Sequence, residues 1–358
     1  MAKRQSSQRP TPQLFHLDRQ AKGETLAGIL KQLIPTLSWN QARQAIASRR
    51  VQVNGNLCLD PQRRVGSGDV IHLWPESLPR PVGASDIQIL YADQHVVVVD
   101  KPPGVTSVRH FLERDLPQHR RQLQPTLEEL LPEALAKHLD KPRSGRGATA
   151  GKVTAGKIIP VHRLDRDTSG LMLFARTTAA AQRLGKMFKQ HAIDRRYWAL
   201  VHGHPSQQTI RSQLVRDRGD GRRGSLAPIQ RDPKAQLAIT HLRPLATLGP
   251  VGWIECQLET GRTHQIRIHL SELGFPLCGD KIYADRRPHA SLMTHLPTLN
   301  RHALHSATLV FDHPIDAGRP MQFSLDWPND LRRWIDRIPP NGDQPNHRST
   351  TNDSPAGD

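Results

Sequence analysis

The chain has 358 residues, 36% of them hydrophobic, and its 50 Lys and Arg against 33 Asp and Glu leave a formal charge of +17. The length allows two domains or one large domain with an appendage, and the low apolar content predicts polar tails or loops. The positive charge recurs along the whole chain, which argues against a single basic tail and for a polyanionic partner whose phosphates release counterions on contact with Lys and Arg.

Residues 1–21 are polar and basic without periodicity and are expected to form a disordered arm. From Glu24 to Ile34, the positions Leu26, Ile29, Leu30 and Leu33 fall at helical spacing. Ser38 reads as the N-cap of a second helix, with Ala42, Ala45 and Ile46 on one face and Arg43, Arg49 and Arg50 on the other. Val51 to Gly55 reads VQVNG, an alternating strand that ends in a hairpin-forming Asn-Gly pair. Val65, a turn at Gly68-Asp69 and a strand from Val70 to Trp74 complete the module. Two short helices followed by strands carrying VNG and GDVI resemble the S4 RNA-binding domain, over residues 22–76. The resemblance implies a basic surface, formed by Arg43, Arg49 and Arg50, that docks on folded RNA.

Residues 77–85, rich in Pro, read as a linker, and a new domain is expected over 86–338. Ile87 to Tyr91 and Val96 to Val99 are strand-like, and the unbroken valines predict a strand buried on both faces. Thr126 to Leu139 reads as a helix whose Thr126 and Glu129 stand in capping-box spacing. Residues 140–157, Gly-rich and basic, predict a flexible loop able to follow an RNA backbone. Strands follow over Leu171 to Ala175, Tyr197 to Val201, Ala235 to Thr240, Ile254 to Leu258 and Gln265 to Leu270, with a helix from Ala179 to Lys189. Residues 339–358 are expected to be a disordered tail. Irregular alternation of the elements predicts an α+β fold with a largely antiparallel or mixed central sheet and flanking helices.

Cys58, Cys256 and Cys278 stand far apart and odd in number, which excludes a disulfide framework and suits a reducing cytosol. His264 and His269 do not match the two-His zinc spacing, so no metal is expected. No apolar run is long enough to span a bilayer, and MAKRQSSQRP lacks a signal-peptide core, so the expectation is a cytoplasmic monomer without membrane contact.

Three segments carry chemistry. HRLDRDTSGLMLFA, residues 162–175, sets Asp165 and Asp167 in an arginine-rich turn ahead of a buried strand. The flanking Arg163 and Arg166 favour an ionised carboxylate, suited to a nucleophile or base. Asp167 opens Asp-Thr-Ser-Gly and is expected to organise a turn, which leaves Asp165 to point into a pocket. In RRYWALVHG, residues 195–203, Tyr197 and Trp198 face opposite sides of a strand, so one ring can stack on a base while the other packs. In TGRTHQIRIHL, residues 260–270, alternation puts Arg267 on a polar strand face, either solvated or reaching a carboxylate.

Together, HRLD with TSG, TGRTHQIR and the later GDKIY at 279–283 resemble the RluA-type family of pseudouridine synthases, over residues 86–332. The resemblance implies an isomerase that converts uridine to pseudouridine in RNA after base flipping, with no cofactor. It implies Asp165 as the catalytic aspartate, Tyr197 as the tyrosine that packs against the target base, and Arg267 as the arginine that pairs with the aspartate. Arg163 then occupies the space left by the extruded nucleotide. An S4 module ahead of this domain implies large-subunit ribosomal RNA as substrate. The alternatives are transfer RNA and an inactive RNA-binding or ribosome-assembly protein on the same scaffold. A small-molecule hydrolase would leave the S4-like module and the +17 charge unexplained.

Overall fold

The computed structural model describes residues 12–17, 24–66, 68–78, 80–109, 124–140, 157–216, 223–227, 231–284 and 296–339. Most of the expected arm, the basic loop at 141–156 and the tail at 340–358 lie outside the described residues. The chain divides into two compact units, Met1–Arg196 with His305–Asp326, and Tyr197–Leu304 with Trp327–Asp358. All three chain crossings, at 196/197, 304/305 and 326/327, fall inside the stretch expected as one catalytic domain.

The first unit carries helices Leu26–Leu33 and Trp39–Ala47. Thr25 caps the first through Gly28 N–H, and Ser38 and Gln41 form a reciprocal capping box on the second. Their apolar faces, Leu26, Ile29 and Leu30 with Ala42, Ala45 and Ile46, bury against Val51, Val53 and Ile71. Each large aliphatic side chain so buried contributes about 1.5–3 kcal/mol. Asn54 and Gly55, at φ 52 and 76, make the hairpin turn between strands Val51–Val53 and Asn56–Leu57.

Two expectations are corrected here. Gln13–His16, assigned to the disordered arm, forms a strand antiparallel to Val70–Leu73, with Phe15 opposite Ile71. Phe15 packs on the module core and Leu17 is buried, an apolar signal too brief for periodicity to register. Arg49 and Arg50 do not continue the second helix, which ends at Ala47. Arg49 takes φ 60 and reverses the chain into the strand at Val51, a stop that no glycine announces. The Nε atoms of Arg49 and Arg50 donate to the carbonyls of Leu78 and Trp74, at 2.9 and 2.8 Å.

The rest of the first unit carries strands Gln88–Ala92, Val96–Lys101 and Ser169–Ala175 in antiparallel order. Strand Leu304–Asp312 runs parallel to Ser169–Ala175, and Pro320–Ser324 is antiparallel to it. Val96 to Val99 are fully buried, as the unbroken run requires. Helix Thr178–Lys189 covers the sheet with Ala180 and Leu184 against Leu171, Leu173 and Phe311. Helix Leu127–Leu139 starts at the expected Thr126–Glu129 capping box.

In the second unit the strand order is Gly224–Ser225, Gln208–Val215, Gln236–Leu248, Val251–Leu258 and Asp194–His202, the last from Tyr197 onward. The fold is therefore mixed α+β, as expected. One element differs in kind: Gln265–Glu272, expected as a strand up to Leu270, is a helix. The alternation Gln-Ile-Arg-Ile-His-Leu has the period of a strand, but Gln265 to Ser271 are all buried, so its polar positions do not mark a solvated face. Four residues apart on one helix face, Gln265 Nε2 and His269 Nδ1 each reach Thr240 Oγ1 at 2.9 Å. A strand would place these two side chains about 13 Å apart along the chain.

Candidate active site

The HRLDRDTSG segment enters strand Ser169–Ala175 through Gly170, at φ +109. A Cβ there would stand 2.3 Å from Ser306 O, so the close parallel approach to Leu304–Asp312 demands glycine. Upstream, buried polar groups hold the loop. Ser107 Oγ donates to Leu164 O at 2.7 Å and accepts from Leu164 N at 3.1 Å. Lys101 is fully buried, and its ammonium donates to the carbonyls of Pro102, Arg166 and Thr168 at 2.8–2.9 Å. Three carbonyl dipoles offset the large cost of taking that charge out of water. Gly104 N–H adds a second bond to Arg166 O, at 2.9 Å.

Asp165 lies in this fastened turn, half-buried, its own carbonyl accepting from Thr168 N at 3.2 Å. Arg163 is exposed. Asp167 pairs with its neighbour Arg166, Oδ1 to Nε at 3.2 Å, and Arg166 Nη1 also donates to Gly55 O of the hairpin turn at 3.3 Å. His162 faces inward. Burial, and then the nearby Arg195 charge, push its pKa down to about 3, and the neutral Nε2 accepts from Leu173 N at 2.9 Å. Its ring rests against Phe188 with centroids 5.0 Å apart. The histidine of the motif thus ties the loop back to the strand it feeds.

In the second unit, Tyr197 is buried and Trp198 turns to the other face of the strand. Trp198 joins an aromatic cluster with Trp253 and Trp327, at 5.1 and 5.4 Å. The pair therefore faces opposite sides of the strand, as alternation requires.

Arg267 sits in the middle of helix Gln265–Glu272. His264, at φ 58, turns the chain into that helix, and a buried polar cluster fixes the helix's rotation. Gln265 Nε2 donates to Ile239 O at 3.0 Å, and its Oε1 accepts from Thr260 Oγ1 at 2.8 Å and from Arg262 N at 3.0 Å. His269 Nε2 meets Ser212 Oγ at 3.0 Å, and burial lowers its pKa to about 4 against the opposing pull of Glu272.

The Arg267 guanidinium is held bidentately by Asp280, Nε to Oδ2 at 2.7 Å and Nη2 to Oδ1 at 3.0 Å. Both side chains are almost wholly buried, 6% and 1% exposed. Burial pushes the Asp280 carboxyl upward, but the Arg267 bonds and charge, with the N–H groups of Ile282 and Tyr283, outweigh it and hold the pKa below the ordinary value. The Tyr283 ring lies under the guanidinium, 5.0 Å from Cζ, and its hydroxyl meets His264 Nδ1 at 2.9 Å. Gly279, at φ +75, has room for no Cβ, since Arg301 O would stand 2.2 Å away.

Each unit thus presents one polar group on a rigid mount: a carboxylate on a pinned turn, and a guanidinium fixed by a carboxylate and a ring. Of the side chains expected at the site, Arg163 and Asp165 share one loop, and Tyr197 and Arg267 belong to the other unit. Arg43 is exposed on its helix, whereas Arg49 and Arg50 spend their Nε atoms on backbone carbonyls. Nothing in the sequence alone gives a role to Lys101, Ser107, Asp280 or Tyr283. GDKIY is legible as a motif, yet nothing in its spacing indicates that Asp280 faces an arginine 13 residues earlier. Among the described residues, no group of three or more His, Cys, Asp or Glu could hold a metal ion, and no helix is long and apolar enough to cross a membrane.

Residues 95–272 match the family described as RNA pseudouridylate synthase, and residues 29–71 match the S4 domain. The chain is 34% identical over 330 residues to Ribosomal large subunit pseudouridine synthase D of Zymomonas mobilis, covering 90% of this chain and 96% of that protein. It is 33% identical over 310 residues to the uncharacterized RNA pseudouridine synthase YlyB of Bacillus subtilis, covering 85% and 91%. Among solved structures, the human protein RNA Pseudouridylate Synthase Domain Containing 4 shares the fold, with a TM-score of 0.51 at 22% identity over 71% of this chain and 95% of that one.

Proposed function

Because the chain belongs to the RNA pseudouridylate synthase family, and so is an isomerase acting on uridine in RNA, we propose that it modifies large-subunit ribosomal RNA with Asp165 as the catalytic carboxylate. The relative from Zymomonas mobilis is named for that ribosomal subunit, and the match spans 96% of it. The observation that carries the role of Asp165 is its mount: Leu164 pinned on one side, Arg166 and Thr168 carbonyls gathered by Lys101 on the other. A carboxylate so placed reacts without first paying to organise its loop.

The reaction breaks the C1′–N1 bond, turns the uracil and forms a C1′–C5 bond, with atoms and electrons conserved. The target base must leave the stack, at a cost of a few kcal/mol that falls when the uridine lies in a loop. In this reading Arg163, exposed two residues before Asp165, fills the place the nucleotide leaves. Tyr197 packs against the flipped base, and Arg267 supports the charge of the reacting carboxylate. Arg43 contacts RNA from the S4 module, with Arg49 and Arg50 adding charge beside it. The protein works as a cytoplasmic monomer, where ribosomal RNA is available.

Mapping pseudouridine in total RNA from cells with the gene, without it, and carrying Asp165→Asn tests the proposal. Loss of one or a few large-subunit sites in both altered strains is expected, with RNA binding by the purified variant retained. Loss confined to transfer RNA would overturn the substrate. Full modification by Asp165→Asn would overturn the carboxylate's role.

A further inference from the structure

The geometry points to Ser107 as a positioning residue for Asp165, an inference that rests on Asp165 carrying the reaction. Ser107 is 1% exposed, and its one hydroxyl satisfies both backbone polar groups of Leu164, donating to the carbonyl at 2.7 Å and accepting from the N–H at 3.1 Å. It does for Leu164 what a neighbouring strand would do. Ser107 is itself fixed. The carbonyls of Thr106 and Ser107 accept from Leu127 N and Glu128 N, at 2.8 and 3.1 Å, in the first turn of helix Leu127–Leu139. A continuous path thus runs from the helix N-terminus through Ser107 to Leu164 and then to Asp165.

The clamps on the two sides of Asp165 act on different peptide groups. Lys101 and Gly104 bind carbonyls at Arg166 and Thr168, downstream of the aspartate, and only Ser107 among the groups described above holds the residue upstream. Without the hydroxyl, a buried N–H and C=O at Leu164 lose their partner, and the peptide rotates to find others. The buried Leu164 side chain keeps the chain in place, so the effect is a tilt at the Leu164–Asp165 peptide. A misplacement of about 1 Å in a catalytic group costs roughly 100-fold in rate.

The test is single-turnover pseudouridine formation on transcribed large-subunit ribosomal RNA, with RNA affinity measured alongside. Ser107→Ala is expected to slow the step by roughly 100-fold while the RNA Kd stays within about twofold. Ser107→Thr, which keeps the hydroxyl, is expected to recover most of the rate. Val105→Ala, a buried truncation in the same loop, controls for lost stability. A Ser107→Ala rate within about twofold of the unaltered protein, or an equal fall in Val105→Ala, overturns the positioning role. Should Ser107→Ala not fold, Ser107→Cys, a weaker donor and acceptor in nearly the same volume, is judged by the same two criteria. Asp165→Asn in the same assay separates the premises. If it is active, the reading of Asp165 fails; if it is inactive while Ser107→Ala is not, only the positioning role fails.

Discussion

Asp280→Asn removes the charge that faces Arg267 while leaving the side chain's shape. The pair is bidentate, at 2.7 and 3.0 Å, and solvent reaches neither partner appreciably, with exposures of 6% and 1%. Screening therefore does not soften the loss as it would at a surface. Breaking a buried pair from one side strands the other charge, at a cost of about 3–5 kcal/mol. Asparagine also aims an amide that can donate at a guanidinium that only donates. At about 2–4 °C per kcal/mol for a unit of this size, the melting temperature should fall by roughly 6–20 °C. Urea unfolding would read the same loss as a lower midpoint with an unchanged slope. The pH dependence supplies an independent check. Asp280 has a folded pKa below its ordinary value of 3.8, so its contribution is complete above 3.8 and lost as pH falls through the lower folded value. That acid-side loss should be smaller in Asp280→Asn. A cost below about 1 kcal/mol, typical of an exposed pair, would refute the reasoning that Arg267 depends on Asp280.

Three further perturbations address the scaffold. His269 is buried neutral, with a pKa of about 4 against an ordinary 6.5, so its stabilisation is complete above 6.5 and is lost as the pH falls toward 4. The difference corresponds to about 3 kcal/mol, and urea midpoints between pH 7 and 4.5 should fall less steeply in His269→Gln than in the unaltered protein. Equal slopes would mean that His269 is not the titrating group. Gly170→Ala should abolish stable folding, because its Cβ meets Ser306 O at 2.3 Å with the backbone at φ +109. Gly185→Ala, in helix Thr178–Lys189 with nothing within 4 Å, should instead raise stability by about 0.5–1 kcal/mol. Thermal melts of the two variants that moved in the same direction would contradict the close-approach argument.

Much of the chain was legible because its signals are local. Ser38 and Thr126 cap the helices that their spacing with Gln41 and Glu129 announced. Asn54-Gly55 turns where a two-residue hairpin needs positive φ, and four consecutive valines are buried on both faces. The +17 charge and the ordered motifs point to RNA and to the reaction class without any tertiary contact. Other features are settled by groups distant in sequence, and there the local pattern ran out. Gln265 to Leu270 alternate as a strand would, yet every side is buried, and the helix that forms brings Gln265 and His269 to Thr240. Gln13–His16 is a strand only because Val70–Leu73 offers it an edge.

Arg267 illustrates the same division within the candidate site. Its residue type and motif were evident from the sequence, but its bidentate partner Asp280 and the Tyr283 ring beneath it are contacts that no helical or strand period encodes. Likewise Lys101 and Ser107 act on carbonyls and an N–H more than 50 positions away. Periodicity reports which face of an element is apolar. Which buried polar groups satisfy one another depends on desolvation and distance, and these are set only when the chain has closed on itself.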